Sequence, residues 1–556
     1  MVCTSYRGKM RMSLESFLLA CLLGTVAAVH NGTNCSDVRR VFVTKGIGQA
    51  NIVPDTWTKG DALELCPSSQ TCCSRSMETQ YKDAVKRDFK HLLQDAGSYL
   101  KTLITTSATK FRDTFLQMVQ IAENSTNALF VDVYKSLESQ ARVHLGQLFA
   151  DMLAYLSGQD VDLEERVNSF FDSLFPLAYQ HAINANPKDF SNNYKECLRN
   201  AQMEIQPFGD LPDKISTQIT RSFEAARTFL DALQLGVEVI NSTEHMDFGP
   251  DCRKALVRLT YCPQCQGILN AKPCAGMCLN IIRGCLASVS ELDSSWSEYI
   301  SALERLTSGM VGIYNIEQVL RSLDTKISET VMFVSENSVE VTKRVKQKCG
   351  HPRRVTREVA PPTAFPPQVE PSTSRFIVSE TSLYMMLQNF IHKVAESKEF
   401  YSNLADRLCS DSNLVRKGEL QCWNGDGLAE YTKTIAGIGI SAQKYNPEMK
   451  PPAARDVTIK TLSDKLHHVK QVLSSRVTSV PQSDSSVMLE GSGSGSAFTD
   501  DEDYAGASGS GDFQKGDKTD LHFDRDEGNA PVASAHRHSL SIVLVIYFFF
   551  HLLRRQ

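Results

Sequence analysis

From about Met77 onward, apolar residues recur at helical spacing. Tyr81, Val85, Phe89, Leu92, Leu93, Ala96 and Leu100 advance in steps of three and four, which places them on one stripe. Phe111, Phe115, Met118, Val119 and Ala122 continue it, and Leu145, Leu148, Phe149 and Met152 repeat it. Phe223–Val239, Trp296–Leu306 and Ile327–Val345 follow the same rule. Nowhere does a sustained two-residue alternation point to a large sheet. The aromatics on these stripes read as helix packing, and the expected class is all-α.

The pattern breaks twice. After Cys349-Gly350, six prolines fall within twenty residues (Pro352, Pro361, Pro362, Pro366, Pro367, Pro371), a density that disfavours helix and sheet alike. This linker, 351–375, contains Arg354-Val-Thr-Arg357, a minimal proprotein-convertase site. Arg-x-x-Arg is frequent by chance, but an exposed linker between cysteine-tied blocks favours cleavage, with both pieces held by disulfides. A second helical block is expected over 376–480, with Cys409, Cys422 and Trp423. Beyond Pro481 the chain turns to Gly, Ser and Asp and cannot bury enough apolar surface to fold. The reading is a disordered stalk over 481–528, with an r.m.s. span of about 40 Å for a flexible chain of that length.

Both ends carry targeting signals. Arg7, Lys9 and Arg11 precede an apolar run from Phe17 to Val26 and the small residues Ala27 and Ala28. That is a secretory signal peptide over 1–28; a bilayer span needs about 20 apolar residues. Export agrees with sequons at Asn31, Asn34, Asn124 and Asn241, although the middle residue at Asn34 is Cys35, a candidate for a buried disulfide. At the other end, Leu540–Leu553 reads LSIVLVIYFFFHLL, with only Arg554-Arg555-Gln556 after it. Small residues, a polar spacer and an apolar tail make a glycosylphosphatidylinositol (GPI) signal, with 529–556 removed. Attachment falls at Gly528 or Asn529, with Ser534 as a rival, and a short single-span anchor is the alternative.

Charge then changes the picture. The 556 residues total −5, which argues against a dedicated nucleic-acid binder. That average hides a split, because Glu490–Ala530 alone carries −8 and the remainder about +3. Within the acidic stretch lie Ser492, Ser494 and Ser496, each followed or preceded by Gly, next to Asp500-Asp-Glu-Asp503. Ser508 and Ser510 form a second Ser-Gly pair before Asp512. Xylosylation, which starts heparan and chondroitin sulfate chains, needs an exposed Ser-Gly with nearby acids. The glycine leaves room at an unfolded backbone, and the carboxylates aid recognition. Clustering favours heparan sulfate; the bland alternative is a plain Gly/Ser linker.

Of 16 cysteines, Cys3 and Cys21 leave with the signal, so 14 remain. Cys262-Pro-Gln-Cys265, Cys274, Cys278 and Cys285 are spaced so that a zinc module competes with disulfides; export and an even count favour disulfides. Spacing alone does not give their connectivity.

Cys262-x2-Cys265-x-Gly267-Ile268-x4-Pro273-Cys274-x3-Cys278-x2-Ile281-x2-Gly284-Cys285 resembles the glypican signature. The resemblance extends over signal, cysteines, stalk and lipid signal. Met277 departs from it, since the family has Phe or Tyr there. Trp296-Ser-Glu-Tyr299-Ile and its surroundings are most similar to the branch of glypicans three and five, with five the nearer. The resemblance implies an elongated, nearly all-α core over 29–350 and 376–480. It implies the pairs Cys35–Cys72, Cys66–Cys262, Cys73–Cys265, Cys197–Cys349, Cys252–Cys285, Cys274–Cys422 and Cys278–Cys409. The last two would tie the post-linker block to the core.

The function this implies is a cell-surface heparan sulfate proteoglycan on the outer leaflet, without catalysis or cofactor. It would concentrate growth factors and morphogens of the Hedgehog, Wnt, fibroblast growth factor and bone morphogenetic protein classes. No His-Glu-x-x-His, P-loop or Gly-x-Ser-x-Gly elbow supports a secreted enzyme, and His467-His468 reads as a helix surface rather than a metal site. An anchored adhesion or receptor-binding glycoprotein without sugar chains is the remaining alternative.

Overall fold

A computed structural model describes residues 34–478 apart from 136, 184–189, 352–381, 413, 417–420 and 451–455. The chain divides into two compact units, 1–484 and 485–556, and every described residue belongs to the first. The signal, the convertase site, the stalk serines, Asn31 and the lipid-attachment residues lie outside the described residues.

The described chain is helical, with isolated bridges such as Thr58–Thr71 and Pro273–Trp423 but no strand. A short α1 (Ser36–Thr44) and an irregular segment precede α2 (Arg75–Asp132), a single helix of 58 residues, about 87 Å long at 1.5 Å per residue. Its start is set by Ser74, whose hydroxyl accepts from Met77 N at 3.3 Å. With no proline inside it, the apolar stripe runs unbroken, burying Tyr81, Val85, Phe89, Leu93, Leu100, Phe111, Phe115, Met118, Val119 and Ala122. There follow α3 (Glu138–Leu156), α4 (Leu163–Ile183), α5 (Asn192–Ile205) and α6 (Leu211–Glu244). Gln206, in the left-handed region at φ 49°, ends α5. Pro250 opens α7 (Pro250–Thr260), the turn α8 (Cys262–Cys265) comes next, and α9 (Ala275–Cys285) carries the rest of the cysteine motif.

The chain continues through α10 (Leu292–Val311), α11 (Ile316–Arg321), α12 (Leu323–Glu336) and α13 (Ser338–Cys349). The stripe from Ile327 to Val345 is therefore split at Asn337, yet its register survives: Ile327, Val331, Val334, Val341 and Val345 are all buried. Asn337 Nδ2 donates to Phe333 O at 2.9 Å and closes α12. After the linker come α14 (Leu383–Ala395), α15 (Leu404–Ser410) and α16 (Val457–Thr478).

This second block is less helical than its sequence suggests. Between α15 and α16 the described chain is irregular apart from a short 3-10 stretch, Ser441–Tyr445. The cause is local: Gly425 and Gly439 take φ of +103° and +87°, and side-chain hydrogen bonds replace the helical ladder.

One core joins the described helices. α2 packs on α3, α6 and α7; α4 on α3, α5, α6 and α12; and α10 on α6, α14 and α16. The post-linker block is thus part of the same core as the residues before the linker.

Candidate functional site

The fourteen described cysteines form seven disulfides: Cys35–Cys72, Cys66–Cys262, Cys73–Cys265, Cys197–Cys349, Cys252–Cys285, Cys274–Cys422 and Cys278–Cys409. Every thiol of the Cys262–Cys285 motif is consumed, so the motif holds no metal ligand. Among the described residues, no group of three His, Cys, Asp or Glu is placed to hold a metal ion. Met277 is fully buried and its terminal methyl takes the space beside Gly425, 3.2 Å from where a Cβ there would lie.

The seam between the blocks is polar as well as covalent. Trp296, fully buried, donates its indole N–H to Ser397 O at 2.9 Å, and Trp423 donates to Arg258 O at 2.9 Å. Asp293 accepts from Tyr401 N and Ser402 N, both at 3.0 Å. Arg283 grips both carboxylate oxygens of Asp406, at 2.6 and 3.3 Å, and donates to Ala436 O at 2.7 Å. Asn280, with no exposure, donates to Tyr431 Oη and Thr434 O and accepts from Ala436 N. The buried Glu448 carboxylate accepts from Arg258, Tyr431 and Lys433. A second network lies at the cysteine-rich end, where Glu78 accepts from the backbone N–H groups of Glu64, Leu65 and Cys66. Tyr261 stacks on Tyr81 and donates to Asp88; burial pushes both phenols well above their ordinary range. No motif marks Glu78, Asn280, Arg283 or Glu448 in the sequence.

The last described helix, α16, carries no disulfide. It buries Ile459, Leu462, Leu466 and Leu473 and is clamped to α10 by Lys470–Glu298 (2.9 Å) and Ser463–Ser295 (2.7 Å). His467 touches Ser295 Oγ through Nε2 (3.2 Å) and Glu298 through Nδ1 (3.4 Å). The trio has the order of a hydrolase relay, but Ser295 is only 4% exposed and its hydroxyl spans two helices. It clamps α16 and presents no nucleophile.

Three sequons are described. Asn34 is exposed, its Oδ1 accepting from the Ser36 hydroxyl at 2.9 Å, while Cys35 is buried. Asn124 is exposed on α2 and Asn241 half-buried on α6; their hydroxyl partners Thr126 and Thr243 are both buried. Any glycan transfer to those two therefore precedes the packing of α2 and α6. No described helix is long and apolar enough to cross a membrane.

Two clefts lie between α2 and α14, of about 380 and 260 Å³, and share Lys393. Their apolar lining comes from Leu100, Leu103, Phe111, Met386, Phe390 and Phe400, and Lys110 and Arg407 also line them.

These features meet a family match. A glypican family model matches residues 17–550. Human glypican-5 is 38% identical over 514 residues, 91% of this chain and 89% of that relative. Zebrafish (Danio rerio) glypican-3 is 32% identical over 467 residues, 81% and 75% respectively. Among solved structures, C-terminally truncated glypican-1 superposes with a TM-score of 0.66 at 25% identity, covering 80% of this chain and 99% of that one. The Dally-like protein in complex with O-palmitoleoyl serine gives a TM-score of 0.57 at 27% identity, with the same coverage. The chain belongs to the glypican family.

Proposed function

We propose that this chain is the core of a cell-surface heparan sulfate proteoglycan, held on the outer leaflet by a GPI anchor. It acts without bond chemistry, concentrating basic growth factors and morphogens of the Hedgehog, Wnt, fibroblast growth factor and bone morphogenetic protein classes through polyanion electrostatics. The observation that carries this reading is the extent of the family match. It runs from residue 17 to 550 and so includes the Ser-Gly clusters at Ser492, Ser494, Ser496, Ser508 and Ser510 and their acidic surroundings. Phosphatidylinositol-specific phospholipase C should release a polydisperse species that heparitinase collapses to one sharp core band. A cell-surface band that neither enzyme alters overturns the proposal.

Ser-to-Ala changes at the five serines separate it from an anchored glycoprotein without sugar chains, because only the proteoglycan loses mass. The Dally-like relative is solved with O-palmitoleoyl serine, which supports an acylated ligand for this chain too. The apolar-lined clefts between α2 and α14 are the surface on which to test it.

A further inference from the structure

One strongly charged surface plays no part so far. Helix α13 holds four Lys/Arg and one acid, in a chain whose total is −5. It presents Lys343, Arg344, Lys346 and Lys348 at exposed positions over about 9 Å of helix. The Cys197–Cys349 disulfide, with Cα atoms 5.8 Å apart, sets α5 against the end of α13. Lys195 and Arg199, two residues either side of Cys197, therefore join the same end of the core. Their combined field reaches His144, whose imidazole is held below its ordinary value by burial and then by Arg199 and Lys195.

Counter-charges are few and exposed. Glu340 serves both Arg344 (3.2 Å) and Lys343 (3.9 Å), and Glu204 takes Lys348. Lys346 has no ion-pair partner among the described residues. Lys343 and Lys346, one turn apart, line an open cleft of about 610 Å³ between α13 and the end of α4, beside Thr342 and Gln347. A small anion requires a closed set of donors, which this surface does not offer. Cations spread along a helix, over a shallow cleft with amide and hydroxyl groups, match an extended chain bearing regularly repeated negative charge.

We propose that the surface formed by α13 with the ends of α4 and α5 binds the sulfated polysaccharide chains grown on the protein's own stalk. The inference rests on the proteoglycan reading above. Bound there, a chain folds back along the core instead of extending freely from the stalk. Cleavage after Arg357 would leave α5 and α13 together on the N-terminal piece, so the surface would survive processing.

The test uses the full-length chain with Ser492, Ser494, Ser496, Ser508 and Ser510 changed to Ala, and a fluorescent heparin hexasaccharide read by anisotropy across a salt series. The chain-free protein binds the probe. Lys343→Gln with Lys346→Gln weakens binding roughly 3- to 30-fold, as expected for two exposed ion pairs, and flattens the salt dependence. The same charge change at the exposed Lys90 and Lys460 leaves affinity where it was. An unchanged affinity in the Lys343/Lys346 variant, or a chain-free protein that ignores the probe, overturns the site. A second arm assigns the source: the chain-bearing protein takes up less probe until heparitinase removes its own chains. Equal uptake before and after digestion overturns the own-chain assignment. If heparitinase removes no mass at all, the proteoglycan reading has failed, and with it the own-chain assignment. The chain-free arm still decides whether the surface recognises sulfated sugar.

Discussion

Glu78 offers the sharpest test of how the cysteine-rich end is built. It sits in the first turn of α2 and is only 4% exposed. Its Oε1 accepts from Leu65 N at 2.8 Å and Cys66 N at 2.9 Å, and its Oε2 from Glu64 N at 3.0 Å. Leu65 and Cys66 are themselves buried, so removing the carboxylate strands two amides away from water, while Glu64 is exposed and regains a solvent partner. A hydrogen bond to a charged acceptor contributes about 1.5–3 kcal/mol, so Glu78→Ala should lose about 3–6 kcal/mol. Glu78→Gln keeps one acceptor oxygen but turns an amide N–H₂ toward a backbone donor, for a loss of about half that. With roughly 400 described residues unfolding at about 2.1 cal/mol/K each, 1 kcal/mol moves Tm by about 1.2 °C. Calorimetry should therefore place Glu78→Ala about 4–7 °C below the parent and Glu78→Gln between the two. Hydrogen exchange over residues 64–66 should lose its protection in the Ala variant. Equal melting temperatures for all three proteins, with 64–66 exchanging alike, would refute the assignment of this carboxylate as the anchor of the segment.

Three further outcomes follow from the packing. A proteolytic cut within the 351–375 linker should leave one species under native, non-reducing conditions, because Cys274–Cys422 and Cys278–Cys409 both cross it; a C-terminal piece eluting alone would contradict the connectivity. Gly236→Ala should destabilise by about 1–3 kcal/mol despite alanine's better helix propensity. The new Cβ would lie 2.8 Å from Tyr299 Oη, a buried hydroxyl that donates to Ala232 O at 2.7 Å, and a raised melting temperature would sink that argument. Glu298 is held below its ordinary carboxylate value by the hydrogen bond from Lys470 and by the charges of Lys470 and His467, against a burial effect. A depressed folded-state value means its contribution is present above about pH 4.5 and lost as pH falls through the lower folded value. Wild type and Glu298→Gln should then differ in Tm near neutrality and converge as the pH falls below the depressed folded value; a gap that widens on acidification reverses the sign and rejects the ion pair.

What the sequence reveals and conceals divides by the range over which each feature is recognised. The stripe from Tyr81 to Ala122 is legible because residues three and four apart meet on a helix face, whatever that face later packs against. The Ser-Gly clusters are legible for the same reason: the modification we propose needs only a short local sequence, so the signal needs no fold. The signature around Cys262–Cys285 is recognisable locally, but the partners of Cys274 and Cys278 lie 148 and 131 residues away. Spacing could therefore suggest disulfides, whereas the pairing came only through the family resemblance. Asn280 and Arg283 are harder still. They sit on an ordinary helical turn; Asp406 is on α15, while their other partners, Tyr431, Thr434 and Ala436, belong to a segment with no periodicity of its own. The sequence reads 376–480 as one helical block, and nothing local marks where helix gives way to irregular chain. The irregular stretch is in fact held by buried polar groups on α9, and such groups stabilise only when every partner is in place. An Asn280→Ala variant should accordingly loosen the 431–446 segment while leaving the helix that carries it intact, since that helix draws its order from Cys278, Ile281 and Ile282, not from the amide.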